Sequence, residues 1–202
     1  MHNHRAVRLL TRSFIGCCWI IAGCKSAPPE PTLTLPPASA TGANTLGFVI
    51  NGRTWTNYGP ICPGTGFGTA PCTDNQLLVQ CQSFHGVRSL SLMAILSTDK
   101  HFEYFNLSVD SVRGPGIYKS GPLAANKLFI PNQVVFTDNK AADPTKQLYH
   151  SIAPNITRIT LTRVDTVQHI IAGTFEGRLD VINHPENSAS ITQGRFDVTY
   201  QL

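Results

Sequence analysis

Leu46-Gly47-Phe48-Val49-Ile50-Asn51-Gly52-Arg53-Thr54-Trp55 decides the fold class. Asn-Gly between two runs of apolar, β-branched and aromatic residues is a strong hairpin signal, because a tight two-residue turn needs positive φ at both central positions. Phe48 and Ile50 fall on one face of the first strand, and Trp55 seals that end of a core.

The same period of two recurs outward from this hairpin. Gln76–Phe84 alternates with Leu77, Val79 and Cys81 inward. Ser89–Ser97 turns Leu90, Leu92, Ala94 and Leu96 inward, and His101–Asp110 does the same with Phe105, Leu107 and Val109. Shorter strand signals lie at Ile117-Tyr118, Gln133–Thr137 and Lys146–His150. Residues 57–75, rich in Gly and Pro, and the polar run Asp138–Pro144 read as loops. Near the end, Ile156–Val164 turns tightly at Asp165-Thr166 into Val167–Leu179, and Ala189–Leu202 follows a loop at 183–187. The inward rows there are Phe175, Leu179 and Val181, then Phe196, Val198 and Tyr200. Glu176, Arg178, Asp180, Arg195 and Asp197 point outward and are expected to pair across the strands as a surface ion-pair row. After residue 41 no window carries the i, i+3, i+4, i+7 rhythm of a helix. Residues 42–202 are therefore expected to form an all-β domain, a mainly antiparallel β-sandwich, with a β-barrel as the alternative.

The first 23 residues read differently. Arg5, Arg8 and Arg12 make a basic start, and Phe14–Ala22 is a short apolar run. That run is too short to span a bilayer, which takes about 20 apolar residues. A basic start, an apolar core and small residues before a cut describe a secretory signal peptide over 1–23. Ile21-Ala22-Gly23-Cys24 resembles the bacterial lipobox, which implies diacylglyceryl transfer to the Cys24 sulfur and cleavage before Cys24. Two or more acyl chains hold a protein stably at a membrane. Residues 24–41 hold Cys24 and a Pro/Thr-rich stretch, expected to be an extended linker reaching up to about 50 Å from the lipid.

Charge and cysteines follow from that cut. Of 16 Lys and Arg, the three arginines of the signal are removed, leaving 13 against 12 acidic residues. No dense basic stripe exists, which excludes nucleic-acid binding as a class. Cys17 and Cys18 leave with the signal, so Cys62, Cys72 and Cys81 remain in an oxidising compartment. Cys62 and Cys72 flank a flexible Gly/Pro loop and are expected as a disulfide. Cys81 sits in an inward strand row as a reduced core cysteine, with Cys72–Cys81 pairing and a metal site as alternatives.

Thr41–Trp55, Gly116-Ile117-Tyr118, Ala172–Glu176 and Ile191–Asp197, together with the lipobox, resemble a Bacteroidota-type lipoprotein family of unknown function. The resemblance implies a lipid-anchored, exported all-β domain and carries no catalytic residue. The cysteine-bracketed insertion at 60–73 departs from it.

The search for chemistry is otherwise lean. Neither Gly-x-Ser-x-Gly nor His-Glu-x-x-His occurs. Gly64-Thr65-Gly66-Phe67-Gly68 lacks the Lys-Ser/Thr ending of a phosphate loop. His85, His101, His150, His169 and His184 are not spaced as metal ligands, and Asp138, Asn139 and Asp143 form an acidic loop without EF-hand spacing. Glu176, Asp180 and Asp197 are candidates for a glycosidase pair, and Tyr58, Phe67, Phe102 and Tyr104 for a glycan platform. The expected function is a lipid-anchored cell-envelope protein, at the outer membrane on its periplasmic or surface face. It would be a non-catalytic binding or structural β-domain whose partners are the membrane, through its anchor, and an envelope protein or glycan, with no cofactor and no metal. An envelope hydrolase with a site assembled across strands, or a small-ligand carrier, are the alternatives.

Overall fold

A computed structural model describes residues 29–62, 71–84, 87–120, 132–143, 147–151, 155–181 and 184–201. The domain is all-β. Its strands are β1 (Thr45–Ile50), β2 (Arg53–Thr56), β3 (Pro60–Ile61), β4 (Thr73–Asp74), β5 (Leu77–Phe84), β6 (Val87–Ser97) and β7 (Phe102–Val112). They continue with β8 (Gly116–Lys119), β9 (Asn132–Asp138), β10 (Leu148–His150), β11 (Thr157–Asp165), β12 (Ile170–Val181) and β13 (His184–Thr199).

Among the described residues eleven strands form one large antiparallel sheet, nine of them in the order β2-β1-β13-β12-β10-β9-β7-β6-β5 and two, β11 and β8, branching from β12. The sheet forks at β12. Residues 170–177 of that strand pair with β11, which in turn pairs with β8, while Asp180 and Val181 pair with β10. The limb beyond the fork folds over the rest. Phe48 of β1 and Phe105 of β7 lie five ladder steps apart, yet their ring centroids are 4.6 Å apart. Isolated bridges from Tyr58 to Leu96 and from Gln80 to Gln201 draw the free edge back. The interior of this curl is filled by the rings of Phe48, Trp55, Phe105, Phe136, Phe175 and Phe196, all buried. Offset and edge-on ring pairs of this kind add about 0.5–1.5 kcal/mol beyond area burial.

The local chemistry follows the sequence closely at the first hairpin. Asn51 and Gly52 have φ of 48° and 82°, and Phe48 faces Trp55 across it with centroids 4.7 Å apart. The inward rows of β5, β6, β7, β12 and β13 are buried as expected, or packed on the core in the case of Leu77 and Val79. Among the described strands β7, β11 and β13 carry an extra residue, and two of these bulges change which residues face the core. Between Gly194 and Ile191, β13 spends three residues against two of β12, and it does so again against β1. Gln193, at φ 54°, is within this bulge. The bulge reverses the facing of the strand, so that Ala189 and Ile191 and also Phe196 and Val198 all point inward. A matching bulge at Ser111, φ 56°, buries both Val109 and Val112 of β7.

Three expectations need correction. The turn after β11 spans Thr166–His169 and not Asp165-Thr166. Asp165 sets its length: Oδ1 accepts the N–H of Val167 and Gln168, and Oδ2 accepts from Arg163. The Gln168 N–H above all, then Arg163, holds that carboxyl down to about 2. Residues 57–75 contain β3 and β4, which pair as a separate two-stranded sheet. Residues 29–41 are not a free spacer. Leu33 packs against the core, and Pro36 lies so close to Gly47 that a Cβ there would stand 2.5 Å from the proline ring. The Lys100 N–H donates to Glu30 Oε1 at 3.0 Å, and Arg163 donates to the Ala40 carbonyl. Prolines prevent this segment from joining the ladder, and side-chain and carboxylate contacts hold it instead.

The strongest of these contacts converge on Asp197, 1% exposed. Ser39 Oγ donates to Oδ2 at 2.7 Å, Thr41 N–H to Oδ2 at 2.8 Å, Gly42 N–H to Oδ1 at 2.7 Å and Ala43 N–H to Oδ2 at 3.2 Å. Burial alone would raise this carboxyl, but the donors outweigh it and hold it below the usual carboxylate range. A carboxyl whose folded value lies below its unfolded value of about 3.9 stabilises the fold fully above that value, and the contribution is lost as pH falls toward the folded one. Asp197→Asn should therefore cost about 2–3 kcal/mol at neutral pH and flatten the acid limb of stability. Urea unfolding at a series of pH values checks this, and an unchanged midpoint would contradict it.

Candidate functional site

The outer face of β8, β11, β12 and β13 is concave. Three cavities of about 370, 530 and 330 Å³ meet there. Arg158 and Glu176 line both the first and the second, and Ala38, Thr174 and Arg195 both the first and the third. They form one trough, which runs from Lys119 to a wall made by Pro37–Ala40 of the packed N-terminal segment.

Strand register builds the floor. Lys119 of β8 faces Arg158 of β11, which faces Glu176 of β12. Two residues along, Thr160 faces Thr174, which faces Arg195. Side chains in such rows share a face, so the cations collect on one side. The side chains of Lys119, Arg158 and Arg195 make no hydrogen bond or ion pair with a described residue, and Arg195 Nε is buried without a partner. Like charges directly opposite each other across a ladder destabilise it, and Glu176 on the other side of Arg158 offsets only part of the Lys119–Arg158 repulsion.

The expected row of cross-strand ion pairs is not formed. Arg195 faces Thr174 and Asp197 faces Ala172, because the β13 bulge offsets the charged positions. Arg178 instead contacts Asp180 on its own strand, Nε to Oδ1 at 3.3 Å, and Asn155 donates to the other oxygen at 2.7 Å. Nor do the three carboxylates make a glycosidase pair. Glu176 lies four residues along β12 both from Asp180 and from Ala172, the partner of Asp197. Four strand residues span about 13 Å, against roughly 5–9.5 Å between the carboxyls of such a pair.

A second concavity, about 370 Å³, lies at the end of the curl beside Glu30, Leu33, Lys100 and His101. Beneath it Glu103 is 1% exposed. The Arg53 Nη2 donates to both of its oxygens, at 2.8 and 2.9 Å, and His101 Nδ1 lies 3.1 Å from Oε1. This cluster closes the core end with a compensated charge, which burial of a carboxylate requires.

The remaining candidates separate cleanly. Cys62 and Cys72 are bonded to each other, which removes the Cys72–Cys81 alternative. Cys81 is a free, buried cysteine whose thiol is pushed up by burial. His150 is pushed down by burial, with Nδ1 3.0 Å from Gln133 Nε2. His169 packs on Tyr200, and His184, expected in a loop, opens β13 beside Glu186. Asp138 caps its own turn through the Lys140 N–H. Among the described residues no three His, Cys, Asp or Glu side chains are placed to hold a metal ion. Phe102 and Tyr104 pack edge-on at 5.2 Å and are half-buried, and Tyr58 is exposed. Cys24, Gly64–Gly68 with Phe67, and His85 lie outside the described residues. The sequence reading missed Lys119, Arg158 and Arg195 as a group, since only the register brings them together.

No protein-family model, curated protein or solved structure matches this chain.

The disulfide closes a loop with a sequence separation of 10 and pins the β3–β4 sheet. Replacing both Cys62 and Cys72 by Ser should lower stability by roughly 2–3 kcal/mol in the chain-entropy account. Chemical denaturation of the double variant checks this, and a change below a few tenths would contradict it.

Proposed function

We propose that this chain is a lipid-anchored protein of the bacterial cell envelope whose β-domain binds a partner without catalysis. One observation carries the binding reading: aromatic rings fill the interior of the curled sheet, and the trough with its excess of cations lies outside. A small-ligand carrier would need the interior volume that Phe48, Trp55, Phe105 and Phe175 occupy. A trough with cations held on a rigid sheet suits recognition, because its groups are ordered before a ligand arrives. The anchor rests on the basic start, the short apolar run and Ile21-Ala22-Gly23-Cys24, together with the resemblance to lipid-anchored proteins of the Bacteroidota type.

The packed N-terminal segment changes the geometry of this proposal. With Glu30 held against Lys100, five residues separate Cys24 from the domain. Fully extended, that stretch reaches about 20 Å. The domain therefore rides close to the bilayer surface, at the end of the curl that carries Glu30, Lys100 and His101.

Cys24→Ala tests the anchor. The variant should take up no labelled fatty acid and should leave the membrane fraction. Retention in membranes at the wild-type level would contradict the reading.

A further inference from the structure

We infer that the trough over β8, β11, β12 and β13 is a binding site for an acidic glycan, a sugar chain bearing carboxylates along its length; this rests on the reading of the domain as a binder. Three features point to that ligand. Lys119, Arg158 and Arg195 set three cations against one trough carboxylate, Glu176, and none makes an ion pair with a described residue, while Lys119 and Arg158 stand directly opposite each other. A ligand anion would offset the excess positive charge that remains. Arg195 lines the trough, and its guanidinium has no partner among the described residues, its Nε being buried. Arginine matches a carboxylate through two parallel N–H donors, which a lysine or a hydroxyl does not.

Spacing selects a chain over a single small anion. Arg195 lies two ladder steps across and two residues along from Arg158. At about 4.8 Å per step and 3.3 Å per residue that is about 12 Å. One carboxylate cannot reach both, while acid groups on successive sugars can. Between the cations the floor carries Thr160, Thr174 and Glu176, and Gln193 lines the side. Hydroxyl, carboxamide and carboxylate groups suit ring hydroxyls, with Glu176 accepting from them. A deoxynucleotide backbone offers no such ring hydroxyls, so Glu176 would meet its phosphates with repulsion and no compensating hydrogen bond. The length of the trough, from Lys119 to the wall at Pro37–Ala40, accommodates an extended chain lying across the strands.

The test uses the full chain in detergent, with polygalacturonate as the probe, neutral dextran as the uncharged control and single-stranded oligothymidylate as the competing polyanion. Polygalacturonate should bind and should weaken as salt is added; dextran should not bind, and oligothymidylate should not compete. Arg158→Gln, at an exposed position, should lower affinity at least fivefold with Tm nearly unchanged, because it removes both the repulsion with Lys119 and the attraction to Glu176. Arg158→Gln with Arg195→Gln should lower it at least twentyfold. Absence of polygalacturonate binding, equal binding by the variants, or equal competition by oligothymidylate overturns the proposal. Each of those leaves the anchored-domain reading in place, which the behaviour of Cys24→Ala decides separately.

Discussion

The buried carboxylate of Asp197 ties the N-terminal segment to the sheet, and much else depends on it. A carboxylate taken out of water must be matched by donors. Ser39, Thr41, Gly42 and Ala43 supply them, three through backbone N–H groups, and Gly42 at φ 82° lets the chain wrap around the acid. That wrapping fixes Pro37–Ala40 as one wall of the trough and seats Pro36 over Gly47. A proline-rich stretch without strand structure thus becomes part of the domain through one side chain 156 residues away in sequence from Thr41.

The curl of the sheet has a related origin. The bulge at Gln193 is shared by the β1 and β12 ladders, so both bend at the same level. Bulges increase local twist and bend a strand. Here the bend closes the sheet over its aromatic core and reverses which residues of β13 face inward. The fork at β12 then lets two limbs leave one strand, which is how a continuous sheet produces two opposed layers around Phe48 and Phe105.

Alternation in the sequence made most of the core legible, since burial of one face imposes a period of two whatever the topology. The first hairpin was legible down to its turn type, because Asn51-Gly52 has few other conformations. Three things were not. The bulge at Gln193 has no glycine to mark it at the left-handed position. The role of Asp197 depends on residues distant in sequence, and its alternation alone read as a solvated surface charge. Lys119, Arg158 and Arg195 lie on three separate strands, and the pairing of β8 with β11 sets their proximity. The Cys62–Cys72 disulfide was legible because its partners flank one short loop, whereas pairing across the sheet would not have been.

Hydrogen exchange read at single amides tests the Asp197 tie most directly. The amides of Thr41, Gly42 and Ala43 should exchange slowly in the native protein, near the rates of β1 and β13. They should become fast in Asp197→Ala, while amides in β6 and β7 keep their protection. Exchange of those three amides at free-chain rates in the native protein would contradict the account.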